Sequence, residues 1–235
     1  MTEPINETPE AVEASTRSIA KKSRKKIGVI VGVIAVVLVA AGASLWVWHE
    51  QPSFCGAICH TPMDNYLATY EAEPGQPTTD KWGNEVADAS SMLAPVHRTE
   101  DGATCLTCHE PVMSQQISEG LNWVSGNYMF PLNERTTDQI GEPVGKNSDE
   151  LCLNESCHHV TDDGTELKTR DDLIAATANM GTYNPHEAHH MELECGTCHK
   201  AHRASVNYCT QCHATAEVPE GWISMSQANE YTDID

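Results

Sequence analysis

Ten cysteines fall into five pairs, and the second cysteine of every pair is followed at once by histidine. The pairs are Cys55/Cys59 with His60, Cys105/Cys108 with His109, Cys152/Cys157 with His158, Cys195/Cys198 with His199 and Cys209/Cys212 with His213. No cysteine is left over. Three pairs have the C-x-x-C-H spacing of covalent c-type haem attachment. Two thiols add across the two vinyl groups of one porphyrin, and the adjacent imidazole binds the iron from the proximal side. The first pair has three intervening residues and the third has four. A longer spacer still reaches both vinyls by bulging outward, so the pattern predicts five haem c groups. Disulfides would suit an exported chain but do not explain a histidine after every pair. Zinc wants four ligands gathered from separate Cys and His pairs, which isolated C-x-x-C-H units do not supply.

The histidine supply fits this reading. Five of the 12 histidines are proximal, leaving His49, His97, His159, His186, His189, His190 and His202. A six-coordinate haem needs one distal ligand. Proximity to the motifs singles out His97, His186, His189 and His202 as iron ligands; an ordinary exposed histidine is the alternative for each. Hydrophobic residues make up 40% of the chain, with only 2 Phe, 6 Tyr and 5 Trp. That is below the usual share of about 45–50%, so side chains alone would make a thin core. With 187 residues after Trp48, each haem has about 37 residues to cover it, and the porphyrins themselves become the core.

The expected fold is therefore a mostly α and coil multihaem cytochrome c with little or no β, since runs of Val, Ile, Thr or aromatics are few. Residues 71–90 and 131–150 are rich in turn formers and read as loops. The second stretch is placed between two possible lobes, 49–130 and 150–215. Residues 171–180 predict a short helix stopped by Gly181. The proximal histidines are expected at helix starts.

The net charge of −20 argues against a nucleic-acid partner, because phosphates select Lys and Arg. The charge is divided sharply: residues 1–26 carry +2 and the remainder −22. Between them Ile27–Trp48 forms a 22-residue run without charge, Pro, Asn or Gln. At about 1.5 Å per residue it spans a hydrocarbon core of about 30 Å. We expect residues 1–26 to be an unstructured cytoplasmic tail, 27–48 a transmembrane anchor and 49–235 an extracytoplasmic domain. Trp46 and Trp48 fall where an interfacial aromatic belt would lie. A signal peptide cut after Ala43 is the alternative; the long n-region and long apolar run favour an anchor.

The C-terminal stretch, Tyr183-Asn-Pro-His186-Glu-Ala-His189, then Cys195-Gly-Thr-Cys198-His199-Lys-Ala-His202 and Tyr208-Cys209-Thr-Gln-Cys212-His213, resembles the tetrahaem domain of flavocytochrome c fumarate reductases. The resemblance covers about residues 180–215 and implies that His186, His189 and His202 are distal ligands. The N-terminal half resembles NapC/NirT-type quinol dehydrogenases: a short tail, one anchor and a haem motif soon after it. In that family a Met just after the first motif can replace His on the iron. Here Met63 follows His60 as C-H-x-x-M; packing is its other role. A His before the second motif is also typical, and His97 before Cys105 matches it.

These resemblances imply an electron-transfer subunit on the outer face of the cytoplasmic membrane, working in anaerobic respiration. It would pass electrons from quinol, menaquinol by resemblance, to a separate partner reductase, a flavoprotein of the fumarate reductase type. His49, Glu50 and Asp64 are the titratable groups nearest in sequence to both anchor and Cys55, and quinol oxidation needs such groups to take its protons. The alternatives are a multihaem reductase acting on a small substrate at a haem with an open axial position, or a relay to extracellular acceptors.

Overall fold

The computed structural model describes residues 9–58, 60–110, 112–130, 133–158, 164–187 and 190–232, with side chains from Lys26 onward except those of His60 and Thr232. Cys59, His159 and His189 lie outside the described residues, as does the His60 side chain. The chain divides into two units, Met1–His49 and Glu50–Asp235.

The first unit is helix α1, Pro9–His49. Its stretch Lys26–His49 is 24 residues long, apolar, exposed up to Trp48, and long enough to cross a membrane. It is compatible with a single-pass anchor. The unstructured tail expected over residues 1–26 gives way to helix from Pro9. That stretch is rich in the strong helix formers Ala, Glu, Lys and Arg. Its acids precede its bases, which suits the helix dipole.

The second unit is mostly helix and coil. Helices α2 (Pro52–Ile58), α3 (His60–Glu71), α4 (Leu93–Asp101), α5 (Cys105–Cys108) and α6 (Met113–Ser125) fill its first half. Helices α7 (Thr137–Gly141), α8 (Ser148–Cys152), α9 (Arg170–Ala176), α10 (Cys195–Cys198) and α11 (Met225–Thr232) fill its second. The strands are two residues each: β1 (Thr78–Thr79) pairs antiparallel with β2 (Glu85–Val86), and β3 (Val206–Asn207) pairs parallel with β4 (Ile223–Ser224). The β1–β2 hairpin interrupts the stretch expected as loop, its turn closed by Asp80 Oδ1, which accepts from Trp82 N at 2.8 Å and Asn84 N at 2.9 Å.

Residues 131–150 are also more ordered than expected. Helices α7 and α8 both start with capping boxes, Thr136 with Gln139 and Asn147 with Glu150. In each, cap and third helical residue satisfy one another's backbone N–H groups. Backbone hydrogen bonds join the parts of the chain on either side of this stretch. Leu93 N donates to Lys200 O at 2.8 Å, Ala94 N to Ala201 O at 3.1 Å and Ser205 N to Ser91 O at 3.0 Å, stitching both sides together. The expected 171–180 helix is shorter: α9 ends at Ala176, and 3₁₀ turns continue to Tyr183 around Gly181, whose φ of 62° no β-carbon tolerates well.

The side-chain core is small. Among the described residues Val86, Ala89, Met92, Ala204, Val206, Ile223 and Ala228 form it, with Ala72, Met225 and Tyr231 packed on its edge. So slight a core for a unit of this size is what the composition led us to expect.

Candidate haem-binding sites

The four attachment motifs from Cys105 onward are tight turns. In α5 and α10 the two cysteines lie on one helical turn, and His109 and His199 cap its end. His109 N donates to Cys105 O at 2.9 Å, His199 N to Cys195 O at 3.0 Å and His213 N to Cys209 O at 2.8 Å. The long motif closes in the same way. Helix α8 ends at Cys152, and His158 N donates to Cys152 O at 3.2 Å despite two extra residues. The surplus bulges as a small loop: Cys157 N reaches Asn154 O at 3.0 Å, and Asn154 Oδ1 accepts from Ser156 N at 3.0 Å. The proximal histidine opens a helix only at His60; His109, His158, His199 and His213 follow their turns, because the turn is made by the cysteine pair itself.

The motif around Cys195 is clamped from outside. Ser148 Oγ accepts from Cys195 N at 2.9 Å, and Thr137 Oγ1 from Gly196 N at 3.2 Å. A β-carbon on Gly196 would come within 2.7 Å of Thr137 Cγ2, so this spacer position requires glycine. Successive motifs are neighbours. Cys108 lies within electrostatic reach of Cys157, and Cys198 of Cys209. The Cys152 thiol hydrogen-bonds Cys195, which pushes Cys152 up and brings Cys195 down to about 6.

The histidines meet across these turns. The His97 ring on α4 sits 5.7 Å from His158, centre to centre. His186 sits 6.5 Å from His199 with planes 4° apart, and His190 sits 6.2 Å from His213 with planes 15° apart. His202 and His109 lie within electrostatic reach of one another. Two metal–imidazole bonds of about 2 Å, with the ring centres about 1.1 Å behind each nitrogen, put coaxial rings about 6 Å apart. The three measured separations fit a metal between each pair. His190 was not among the expected ligands; the expected His189 lies outside the described residues.

Two of these rings are held by threonines that sequence reasoning missed. The Thr69 hydroxyl is buried and donates to Tyr66 O at 2.8 Å, so its oxygen accepts from His202 Nδ1, also at 2.8 Å. Thr177 donates to Leu173 O at 2.7 Å and lies 3.1 Å from His186 Nδ1. With Nδ1–H engaged, Nε2 is the lone-pair nitrogen of both rings, the form an iron binds. Burial keeps these rings neutral. It lowers His97 and His186, brings His199 down to about 4 with help from His186, His158 and His97, and brings His202 down to about 3 with help from His109 and Lys81.

Met63 is half-buried on α3, three residues after His60. Cys55 lies on α2. Asp64 is exposed on α3, Glu50 opens the second unit and His49 closes the first.

Residues 135–214 match the family model described as cytochrome c3, a span holding the Cys152, Cys195 and Cys209 motifs. The chain is also 58% identical over 206 residues to the cytochrome c-type protein Cgr1 of Eggerthella lenta, covering 88% of this chain and 91% of the relative. No solved structure matches it. The chain therefore belongs to the c-type cytochromes, binds haem c covalently and transfers electrons through it.

Proposed function

We propose that the chain carries five haems and moves electrons from membrane quinol to a partner reductase. The observation that carries this reading is the pairing of imidazoles: His97 with His158, His186 with His199, His190 with His213 and His202 with His109. Each haem would supply one-electron exchange between ferric and ferrous iron, and iron held by two histidines has no position left for a substrate. The protein's part is to fix the rings, shield them from water and keep them neutral. The ten cysteines Cys55, Cys59, Cys105, Cys108, Cys152, Cys157, Cys195, Cys198, Cys209 and Cys212 would carry the porphyrins. At the first motif His60 is the proposed proximal ligand, and Met63, three residues further along α3, is the proposed alternative to histidine on that iron.

Electron entry at the membrane is supported by α1 and by the basic residues before it, which favour an N-terminus in the cytoplasm. His49, Glu50 and Asp64 are the proposed acceptors of quinol protons. Exit to a flavoprotein rests on the resemblance of residues 180–215. The −22 of residues 27–235 calls for a basic or neutral docking face and for association that weakens with salt. The test is to reconstitute the full chain in vesicles with a menaquinol analogue. Reduction of the haem α-band is expected, slowed in H49Q, E50Q or D64N. No reduction by any quinol, with all haems present, overturns quinol oxidation; unchanged rates in all three variants overturn the proton acceptors.

A further inference from the structure

Between the axial candidates His199 and His202 and just past them stand Lys200 and Arg203, and Lys81 joins them from the β1–β2 turn by donating its N–H to His202 O at 3.0 Å. All three cations converge on one carboxylate. Arg203 holds Glu134 in a fork, Nε to Oε1 and Nη2 to Oε2, both 2.8 Å; Lys200 Nζ is 3.1 Å and Lys81 Nζ 3.8 Å from it. Arg203 and Lys81 are buried, at 6% and 5% exposure. Trp82 floors the cluster, 4.5 Å below Lys81 Nζ, and Tyr66 lies 5.8 Å from the same ammonium while packing edge-on against His202 at 5.1 Å.

Three positive charges against Glu134 and the neighbouring buried Asp80 leave a surplus of one in a buried place. Buried charge persists only when it is paired. One donor is still owed a partner: Arg203 Nη1 is buried and has no hydrogen bond among the described residues. An open cavity of about 250 Å³ adjoins the cluster, lined by Glu134, Lys200, Arg203 and Thr197 among others. The missing partner is thus an anion reaching a buried guanidinium beside two axial histidines. A soluble anion would have to approach through the field of a strongly acidic domain. A carboxylate delivered covalently would not, and each haem brings two.

We propose that Lys81, Lys200 and Arg203 seat a propionate of the haem attached at Cys105 and Cys108, with His109 and His202 on its iron. This rests on the haem ligation proposed above. Pairing the propionate with fixed cations removes negative charge from beside the iron and raises that haem's potential, and the fork geometry of Arg203 suits a carboxylate.

The test is spectroelectrochemical titration of the purified full chain and of R203Q, R203K and E134Q, with intact mass measured alongside. The expected result is that R203Q shifts one haem's oxidised-to-reduced balance about tenfold toward ferric, or 59 mV for one electron, with the other midpoints unmoved. R203K recovers most of the shift, and E134Q moves the same haem the opposite way. These shifts persist from about 0.05 to about 0.5 M salt, since a buried pair is poorly screened. Unmoved midpoints with a full haem complement overturn the proposal, as do shifts that salt abolishes. So does a wild-type midpoint that moves on adding inorganic phosphate while that of R203Q does not, because the cluster then takes a soluble anion. A mass short of haem at Cys105/Cys108 in the unmutated chain would instead overturn the ligation reading on which it stands.

Discussion

The motifs at Cys195 and Cys152 solve one problem in two ways. The first has two intervening residues, forms a helical turn and is clamped by Thr137 and Ser148. The second has four, breaks helix at Cys152 and bulges over Asn154. Both end with the histidine N–H on the first cysteine's carbonyl, at 3.0 and 3.2 Å. Attachment at both motifs would then need only a fixed relation between histidine and first cysteine, with the extra residues leaving the turn. The two sites also touch, through the Cys152–Cys195 thiol contact, which places the regular and irregular motifs side by side.

This comparison can be broken at several points. Replacing both cysteines of either motif by alanine should remove one haem from the intact mass. Retention of the full mass in C152A/C157A alone would mean that the long motif carries nothing. Next in size, H97A and H186A should each open one iron, at the long and the short motif respectively, read as one new high-spin signal in the ferric EPR spectrum. The same low-spin spectrum in both variants would separate those histidines from iron.

A smaller effect concerns the spacers. G196A should destabilise by about 1–3 kcal/mol, because its methyl group meets Thr137. N154A should cost about 1 kcal/mol, since its two lost hydrogen bonds, to Leu151 O and from Ser156 N, are local contacts of a half-exposed bulge. Thermal melting of the holoprotein checks both, and equal losses would mean that the long spacer is as constrained as the short one. T177V should leave the His186 ring without its Nδ1 acceptor and weaken that ligand about tenfold or more, seen as easier displacement by added imidazole.

The pH dependence centres on Glu134. Burial opposes its ionisation, but Arg203, Lys200 and Lys81 overcome this and hold the carboxyl at about 2. A depressed acid stabilises the fold above its unfolded pKa of about 4.5, and that gain is lost as pH falls toward 2. Burial also pushes Lys81 and Lys200 down, so the cluster gains less than the roughly 3.4 kcal/mol that Glu134 alone suggests. E134Q should flatten the acid limb of a denaturation profile between about pH 5 and pH 2. An unchanged limb would place the acid sensitivity elsewhere.

Cysteine spacing made the cytochrome c character readable, because two vinyls and one iron are a local demand met within a few residues of chain. The mostly α and coil fold and the apolar first helix followed from composition and run length. Ring pairing was less legible, since His97 meets His158 and His202 meets His109 only after the chain has folded back on itself. His190 carries no sequence mark that sets it apart within the His189-His190 pair. Thr69 and Thr177 leave no sequence mark; they are ordinary helix residues until a ring arrives. Helices α7 and α8 were the reverse case. Their T-x-x-Q and N-x-x-E boxes were present in the sequence, but nearby Pro and Gly outweighed them in the reading.

Haem number tests the central claim most directly. Intact mass of the exported full chain, with a pyridine haemochrome assay for iron porphyrin per chain, should account for five covalent haems. A mass accounting for only three would contradict it, leaving Cys55/Cys59 and Cys152/Cys157 with another role.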